Sequence, residues 1–330
     1  MTTSMKLYPM KLTPVPKSII WGGDKLKRIY GKTAPFDKIA ESWELTVRSD
    51  GMSVIENGIF AGVSLAEFLS DNPTARGSDS SSTDFPLLVK LIDAADDLSI
   101  QVHPDDSYAK VHENDSGKTE MWYILDADDG AEIVYGVKDG VCPEELKAAI
   151  LNGSYDAVLR RVRVSKGDVF FIPSGQIHAI CKGVLIAEIQ QNSNITYRVY
   201  DYDRTDKNGK KRELHTEKAL ESVKCYSVKD IDKWQYSGRG RRRELPKGFK
   251  VIADCSYFRA CVVNVIDDTK MTFTVDEKSF VSLLFTSAED AELICGSYSV
   301  PISAGDSYFI PAGTGEITLS GSCSAIISEP

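Results

Sequence analysis

The chain has 330 residues and a formal net charge of −9, with 42% hydrophobic and 26% charged residues. That length suits roughly two domains of about 150 residues, or one long β-rich unit, with a sizeable core in either case. The acidic balance argues against nucleic acid or an anionic membrane as partner, no run approaches the roughly 18 apolar residues of a membrane span, and the opening stretch MTTSMKLYPMKLTPVP lacks the apolar core of a secretory signal.

Along the chain, short runs rich in β-branched and aromatic residues and bounded by Gly, Pro, Asp or Asn predict strands. The first lies at 42–47. Ser64 to Ser70 reads as a helix with Leu65, Phe68 and Leu69 on one face. A Ser/Asp loop at 77–83 precedes strands at 87–92, 98–102 and 121–125. Pro143 opens a helix at its first turn, with Leu146, Ala149 and Ile150 aligned. Ser154 predicts a cap for another, carrying Tyr155, Val158, Leu159 and Val162 at helical spacing. Strands follow at 169–172, 184–190 and 195–200, then an exposed turn at 205–212 around Asn208-Gly209. Thr216 predicts the cap of a helix bearing Leu220 and Val223. The basic stretch 237–247, with Arg239 and Arg241–Arg243, reads as a solvated linker, since no aromatic platform for nucleic acid accompanies it. The seven cysteines form no C-x-x-C pair, which predicts reduced, packed thiols in a cytoplasmic protein.

One pattern recurs. Residues 167–177 read GDVFFIPSGQI and residues 305–315 read GDSYFIPAGTG. In both, Gly-Asp makes a turn, an apolar strand follows, and Pro-x-Gly ends it. This resembles the second half of a cupin motif and predicts two cupin-like lobes. Glu316 stands where His178 stands in the first copy, so the second lobe is expected to lack a metal histidine.

The first lobe carries a candidate metal constellation. Side chains two apart on a strand face the same way. Gln101 and His103 of Q-V-H therefore point together, as do Lys118 and Glu120 of K-T-E, and His178 follows the strand and turn FFIPSGQ. Taken singly, each is an ordinary polar member of a half-buried strand. Together, two imidazoles, a carboxylate and an amide oxygen suit a divalent borderline metal. The other two histidines, His112 and His215, fall in polar segments and read as surface residues.

The runs LLVKLIDAADDLSIQVHPDD (87–106), GKTEMWYIL (117–125), FFIPSGQIHAI (170–180) and IAEIQQNSNITYRVYDYDR (186–204) resemble type I phosphomannose isomerase, with IIWGG (19–23) and ESWEL (41–45) fitting its short bacterial form. The resemblance covers most of residues 5–205 and fades after about 245. It implies a mainly β protein. Residues 1–240 would be a metal-bearing cupin, a jelly-roll-like β-barrel with a small helical segment near 143–163, and 245–330 a degenerate cupin-like lobe. It implies one Zn²⁺ per chain held by Gln101, His103, Glu120 and His178, and a catalytic arginine at Arg198. Lys90 and Ser99 fall on pocket positions, Glu188 on a pocket glutamate, and Lys118 on a lysine tied to proton transfer or substrate contact. Longer members carry a lysine six residues beyond the arginine, where this chain has Arg204, and N-I-T-Y-R replaces the more usual D-N-V-x-R.

The implied reaction interconverts mannose 6-phosphate and fructose 6-phosphate through an enediol. Arg198 would hold the enediolate oxygen. Proton transfer could fall to Glu188, Lys118, a histidine or a metal-bound hydroxide, and the residues do not order them. Glu188 sits in the apolar run VLIAEI, where an unpaired carboxylate is costly. Lys118 equally reads as a solvated lysine after Gly117. Arg204, Ser99 and Lys90 could bind phosphate, although DYDRTDK also reads as a charged loop, and Trp21 could line the sugar pocket or pack as core. Another metal cupin such as an iron oxygenase, a non-catalytic sugar-phosphate binder, and an isomerase of a different aldose phosphate stand as alternatives. Oligomeric state is open.

Overall fold

The computed structural model describes residues 7–78, 84–205, 208–238, 244–267 and 269–330. Most of the Ser/Asp loop at 77–83 and the basic cluster Arg239 and Arg241–Arg243 lie outside the described residues. Two sheets build the first lobe. One runs Val169–Ile172, Glu120–Ala127, Val184–Gln191, Leu87–Ala94, Glu41–Leu45 and Val15–Lys17 across its width. The other runs Leu159–Arg163, Glu132–Val137, His178–Ile180, Ile100–Val102 and Tyr197–Tyr200.

Leu87–Ala94 and Val184–Gln191 are buried along their whole length, which is why they read as continuous apolar runs. Period-two alternation still sorts their side chains. Leu87, Val89, Leu91, Met121, Leu185, Ala187 and Ile189 enter a core on the outer face of the six-stranded sheet. Ile92, Trp122, Ile124, Val184 and Ile186 enter another, shared with Ile133 and Ile180 of the facing sheet. The same phase turns Lys90, Glu120 and Glu188 inward, between the sheets. Among the described residues these pairings do not join into one closed ring, so the jelly-roll character takes the form of two facing sheets.

The helices at Leu65–Asp71 and Pro143–Asn152 bury the expected faces, and Ser64 accepts a hydrogen bond from the Glu67 N–H at 3.2 Å. The helix expected after Ser154 is different. It stops at Val158, and Leu159–Arg163 is a strand paired with Glu132–Val137. Ser154 makes no capping bond, and the open edge of Glu132–Val137 satisfies the backbone of the next five residues. Tertiary pairing overrides a weak local helical spacing here.

Seven strands of the second lobe, built on the two long ones Val281–Cys295 and Gly315–Glu329, make up most of a nine-stranded sheet. Met10–Thr13 also joins it, pairing with Ser307–Ile310. One core holds Met10, Leu87 and Leu185 together with Phe258, Phe280 and Phe309, so the lobes share apolar packing. The repeat is exact at its turns. Gly167 and Gly305 take φ of 93° and 87°, a left-handed conformation that glycine adopts at least cost. Asp168 and Asp306 each accept from the N–H three residues earlier, Ser165 at 2.8 Å and Ser303 at 3.0 Å. Glu316 is exposed at the start of its strand.

Candidate metal centre and adjoining cavity

The facing sheets bring three candidate ligands together. Glu120 comes from the six-stranded sheet, His178 from the five-stranded sheet, and His103 from the residue after Ile100–Val102. Their donor atoms lie within 4.8 Å of one another and all three residues are buried. Gln101 pairs with His178 across the ladder, and its amide nitrogen lies 3.4 Å from His178 Nε2. Ile100 and Val102 point the other way, into a core with the helix Pro143–Asn152.

The hydrogen bonds fix the state of both imidazoles. His103 Nδ1 meets the Ile195 carbonyl and His178 Nδ1 the Gln176 carbonyl, each at 2.8 Å. A carbonyl only accepts, so each Nδ1 carries the proton and each Nε2 offers a lone pair. The two Nε2 atoms face each other at 3.1 Å. Burial, then the nearby Lys118 charge, pulls His103 down to about 3, and burial pulls His178 down as well. Burial alone would raise the Glu120 carboxyl, but the Lys118 ammonium beside it holds it well below its ordinary range. Glu120 Oε1 accepts no hydrogen bond. Two inward lone pairs and a buried carboxylate with an uncommitted oxygen make a site that favours a cation. The Lys118 ammonium stands at its edge, 2.5 Å from Glu120 and 3.1 Å from His103 Nε2. A half-turn of the Gln101 carboxamide would add an oxygen to the donors. The residues present therefore fit a divalent metal.

Beside the cluster lies a cavity of about 270 Å³, walled by Trp21, Glu41, Lys90, Ser99, Gln101, Lys118, Glu188, Asn194, Thr196, Arg198 and Arg212. Charges alternate along its buried floor. Lys90 lies 3.7 Å from Glu41 and 3.3 Å from Glu188, and Lys118 lies 3.8 Å from Glu188. Trp122 donates to Glu188 Oε2 at 3.0 Å, while Oε1 is the oxygen that faces both lysines. Burial, reinforced by the Glu120 charge, raises the Glu188 carboxyl. Burial would lower the Lys90 ammonium, but Glu41, Glu188 and Glu120 keep it raised. Trp21 serves both cavity wall and core. A larger cleft of about 840 Å³ around Arg48, Arg76 and Asp115 contains none of the metal-cluster residues.

One expected residue is elsewhere. Arg204 is not in the cavity wall. Its guanidinium bonds Asp201 Oδ1 at 2.7 Å and the Asp97 carbonyl at 2.5 Å. Arg212 faces the cavity in its place, held by Asp201 through two hydrogen bonds of 2.8 and 2.5 Å. His215, read as a surface residue, is half-buried. It accepts the Arg198 backbone N–H at 3.2 Å, and the Glu213 carbonyl accepts from the Arg198 guanidinium at 2.7 Å. Sequence reading also passed over Glu41, Asn194, Thr196 and Arg212. Only Glu41 left a local trace, lying two residues before Trp43 on the same strand and accepting its indole N–H at 2.6 Å.

Fold and site together define a mainly β protein of cupin type, with a buried His-Glu-His cluster opening onto a polar cavity. Residues 10–138 match the model of the phosphomannose isomerase type I catalytic domain, and residues 250–330 that of the mannose-6-phosphate isomerase cupin domain. The probable mannose-6-phosphate isomerase GmuF of Bacillus subtilis (strain 168) is 39% identical, over 98% of this chain and 99% of its own length. The mannose-6-phosphate isomerase ManA of the same organism is 38% identical, over 98% and 100%. The crystal structure of the mannose 6-phosphate isomerase from Bacillus subtilis superposes with a TM-score of 0.85 at 36% identity, covering 97% of this chain and 99% of that one. The chain belongs to the type I phosphomannose isomerase family.

Proposed function

We propose that this enzyme interconverts mannose 6-phosphate and fructose 6-phosphate with one zinc ion per chain. The observation that carries the reading is the pair of neutral, inward-facing imidazoles beside Glu120, opening onto a cavity whose wall holds Lys118, Glu188 and Arg198. Gln101, His103, Glu120 and His178 would hold the metal. When bound, it would supply Lewis acidity to a sugar oxygen.

The remaining work falls to the chain's own groups. Arg198 stabilises negative charge developing on the enediolate oxygen, and its backbone is fixed by His215. Glu188 carries the proton between C1 and C2. Its Oε1 faces the Lys90 and Lys118 ammoniums on the cavity floor, and burial raises its carboxyl toward the range a base needs. Lys118, between Glu120 and Glu188, donates to a sugar oxygen. Lys90 and Ser99 bind polar groups of the substrate, and Trp21 packs against the sugar. For the phosphate we favour Arg212 over Arg204, because Arg212 reaches the cavity and Arg204 is spent on Asp201 and Asp97. Arg204 then acts at one remove, by steadying Asp201.

We assign the catalytic domain to residues 1–240 and read 245–330 as a lobe without a metal site. A cytoplasmic location accords with seven cysteines that form no C-x-x-C pair. The test is turnover of mannose 6-phosphate by purified protein. Activity should vanish with a chelator and return with zinc. A folded, metal-replete sample without turnover would sink the enzyme reading, and turnover restored only by iron with dioxygen would move it to an oxygenase.

A further inference from the structure

A two-stranded hairpin, Val47–Arg48 with Gly51–Met52, lies beside the cavity and contributes nothing to its wall. It is held firmly. Thr46 Oγ1 donates to the Gly51 carbonyl at 2.7 Å. A Cβ on Gly51 would come within 2.8 Å of the Trp43 ring, so the hairpin lies flat on the indole. Lys17 sits over that same ring, 4.2 Å from its centroid, and donates to the Asp50 carbonyl.

From this base two side chains grip the segment that feeds the site. Arg48 donates to the Asn192 carbonyl at 3.0 Å and to Asp115 Oδ2 at 3.1 Å, and its Nε lies 3.4 Å from Asp50 Oδ1. Asp50 Oδ2 accepts from Asn194 Nδ2 at 2.9 Å. The residues that follow supply Thr196 and Arg198 to the cavity wall and the Ile195 carbonyl to His103. A carboxylate only accepts, so Asp50 fixes which end of the Asn194 carboxamide it holds. With the nitrogen committed, the oxygen is the end left for a ligand.

We propose that Asp50, braced by Arg48, is a positioning residue: it orients Asn194 so that its carboxamide oxygen accepts a hydrogen bond from a hydroxyl of the phosphorylated sugar. This rests on the isomerase reading. The role is one of binding, so it acts on substrate and transition state alike and belongs in KM.

The test is a double-mutant cycle. Asp50→Ala should raise KM for mannose 6-phosphate about five- to ten-fold, the range of one neutral hydrogen bond, with kcat changed less than about two-fold. Asn194→Ala should do the same, and the double variant should be no worse than either single one. Asp50→Asn should restore KM, since its own carboxamide oxygen can accept the Asn194 N–H, a rescue that a merely structural role would not show. Wild-type KM in Asp50→Ala, or penalties that multiply in the double variant, would overturn the proposal. If Asp50→Ala does not fold, Asp50→Ser, too short to reach the amide, replaces it. If the wild type does not turn over, the isomerase reading fails. The same cycle is then read from calorimetric Kd values for mannose 6-phosphate, where penalties that multiply, or an absence of binding, reject the positioning role.

Discussion

Arg198 and His178 flank Gln101 from either side in one sheet yet do different work, and substitution should separate them. His178→Ala removes an imidazole whose lone pair faces the cluster, so bound metal should fall with activity, as metal analysis of the dialysed protein would show. Arg198→Ala removes only a cation from the cavity wall. It should keep the metal and lose about 10²–10³ in kcat; full kcat in that variant would show the arginine role to be wrong. Asp201 gives a prediction in pH. Burial pushes its carboxyl up, but hydrogen bonds from Arg212 and Arg204 more than offset this and hold it below its ordinary value of 3.8. A carboxylate depressed in the folded state stabilises the protein above the unfolded value and loses that contribution as pH falls through the folded one. The Tm gap between wild type and Asp201→Asn should therefore be widest near neutrality and close below 3.8. A gap that widened on acidification would contradict the pairing.

Strands are where sequence and structure agree most closely. Expected strands at 87–92 and 184–190 became Leu87–Ala94 and Val184–Gln191. Their phase was legible because a buried sheet assigns alternate residues to opposite cores. That phase set Lys90 and Glu188 opposite each other in register. Leu185→Ala, on the core face away from the cavity and fully buried, should cost about 2–5 kcal/mol in denaturant unfolding. The folded fraction should keep its metal, since Leu185 contacts the outer core and not the ligands. Metal loss without loss of stability would mean that the two faces are not separated as described. The stretch after Ser154 was not legible, because four residues at helical spacing carry less information than an open strand edge waiting to be paired.

At the scale of the molecule, the two lobes are not packed as separate bodies. Met10–Thr13 is a strand of the C-terminal sheet, and Lys32 bridges the buried Glu44 at 2.7 Å and the Gly305 carbonyl at 2.6 Å. Cutting the chain after residue 245 would bare the core that Met10 and Leu12 share with Phe258 and Phe309. The shortened protein should show no cooperative thermal transition and no activity. Wild-type stability and kinetics after that deletion would rule out a supporting role for the second lobe.

By itself the sequence determined several strands of the first lobe, Leu87–Ala94 and Val184–Gln191 among them, with their inward faces, the repeated Gly-Asp turn, and the likeness of its motifs to a known family. Those depend on local spacing: period two in a strand, and glycine at a left-handed turn. Only the tertiary structure decided that Arg212 enters the cavity while Arg204 turns to Asp201, that His215 serves Arg198, and that a hairpin at 47–52 reaches Asn194. These pairings join residues from separate segments, and the direction of a long side chain depends on which acceptor the fold brings within reach. No spacing along the chain encodes that.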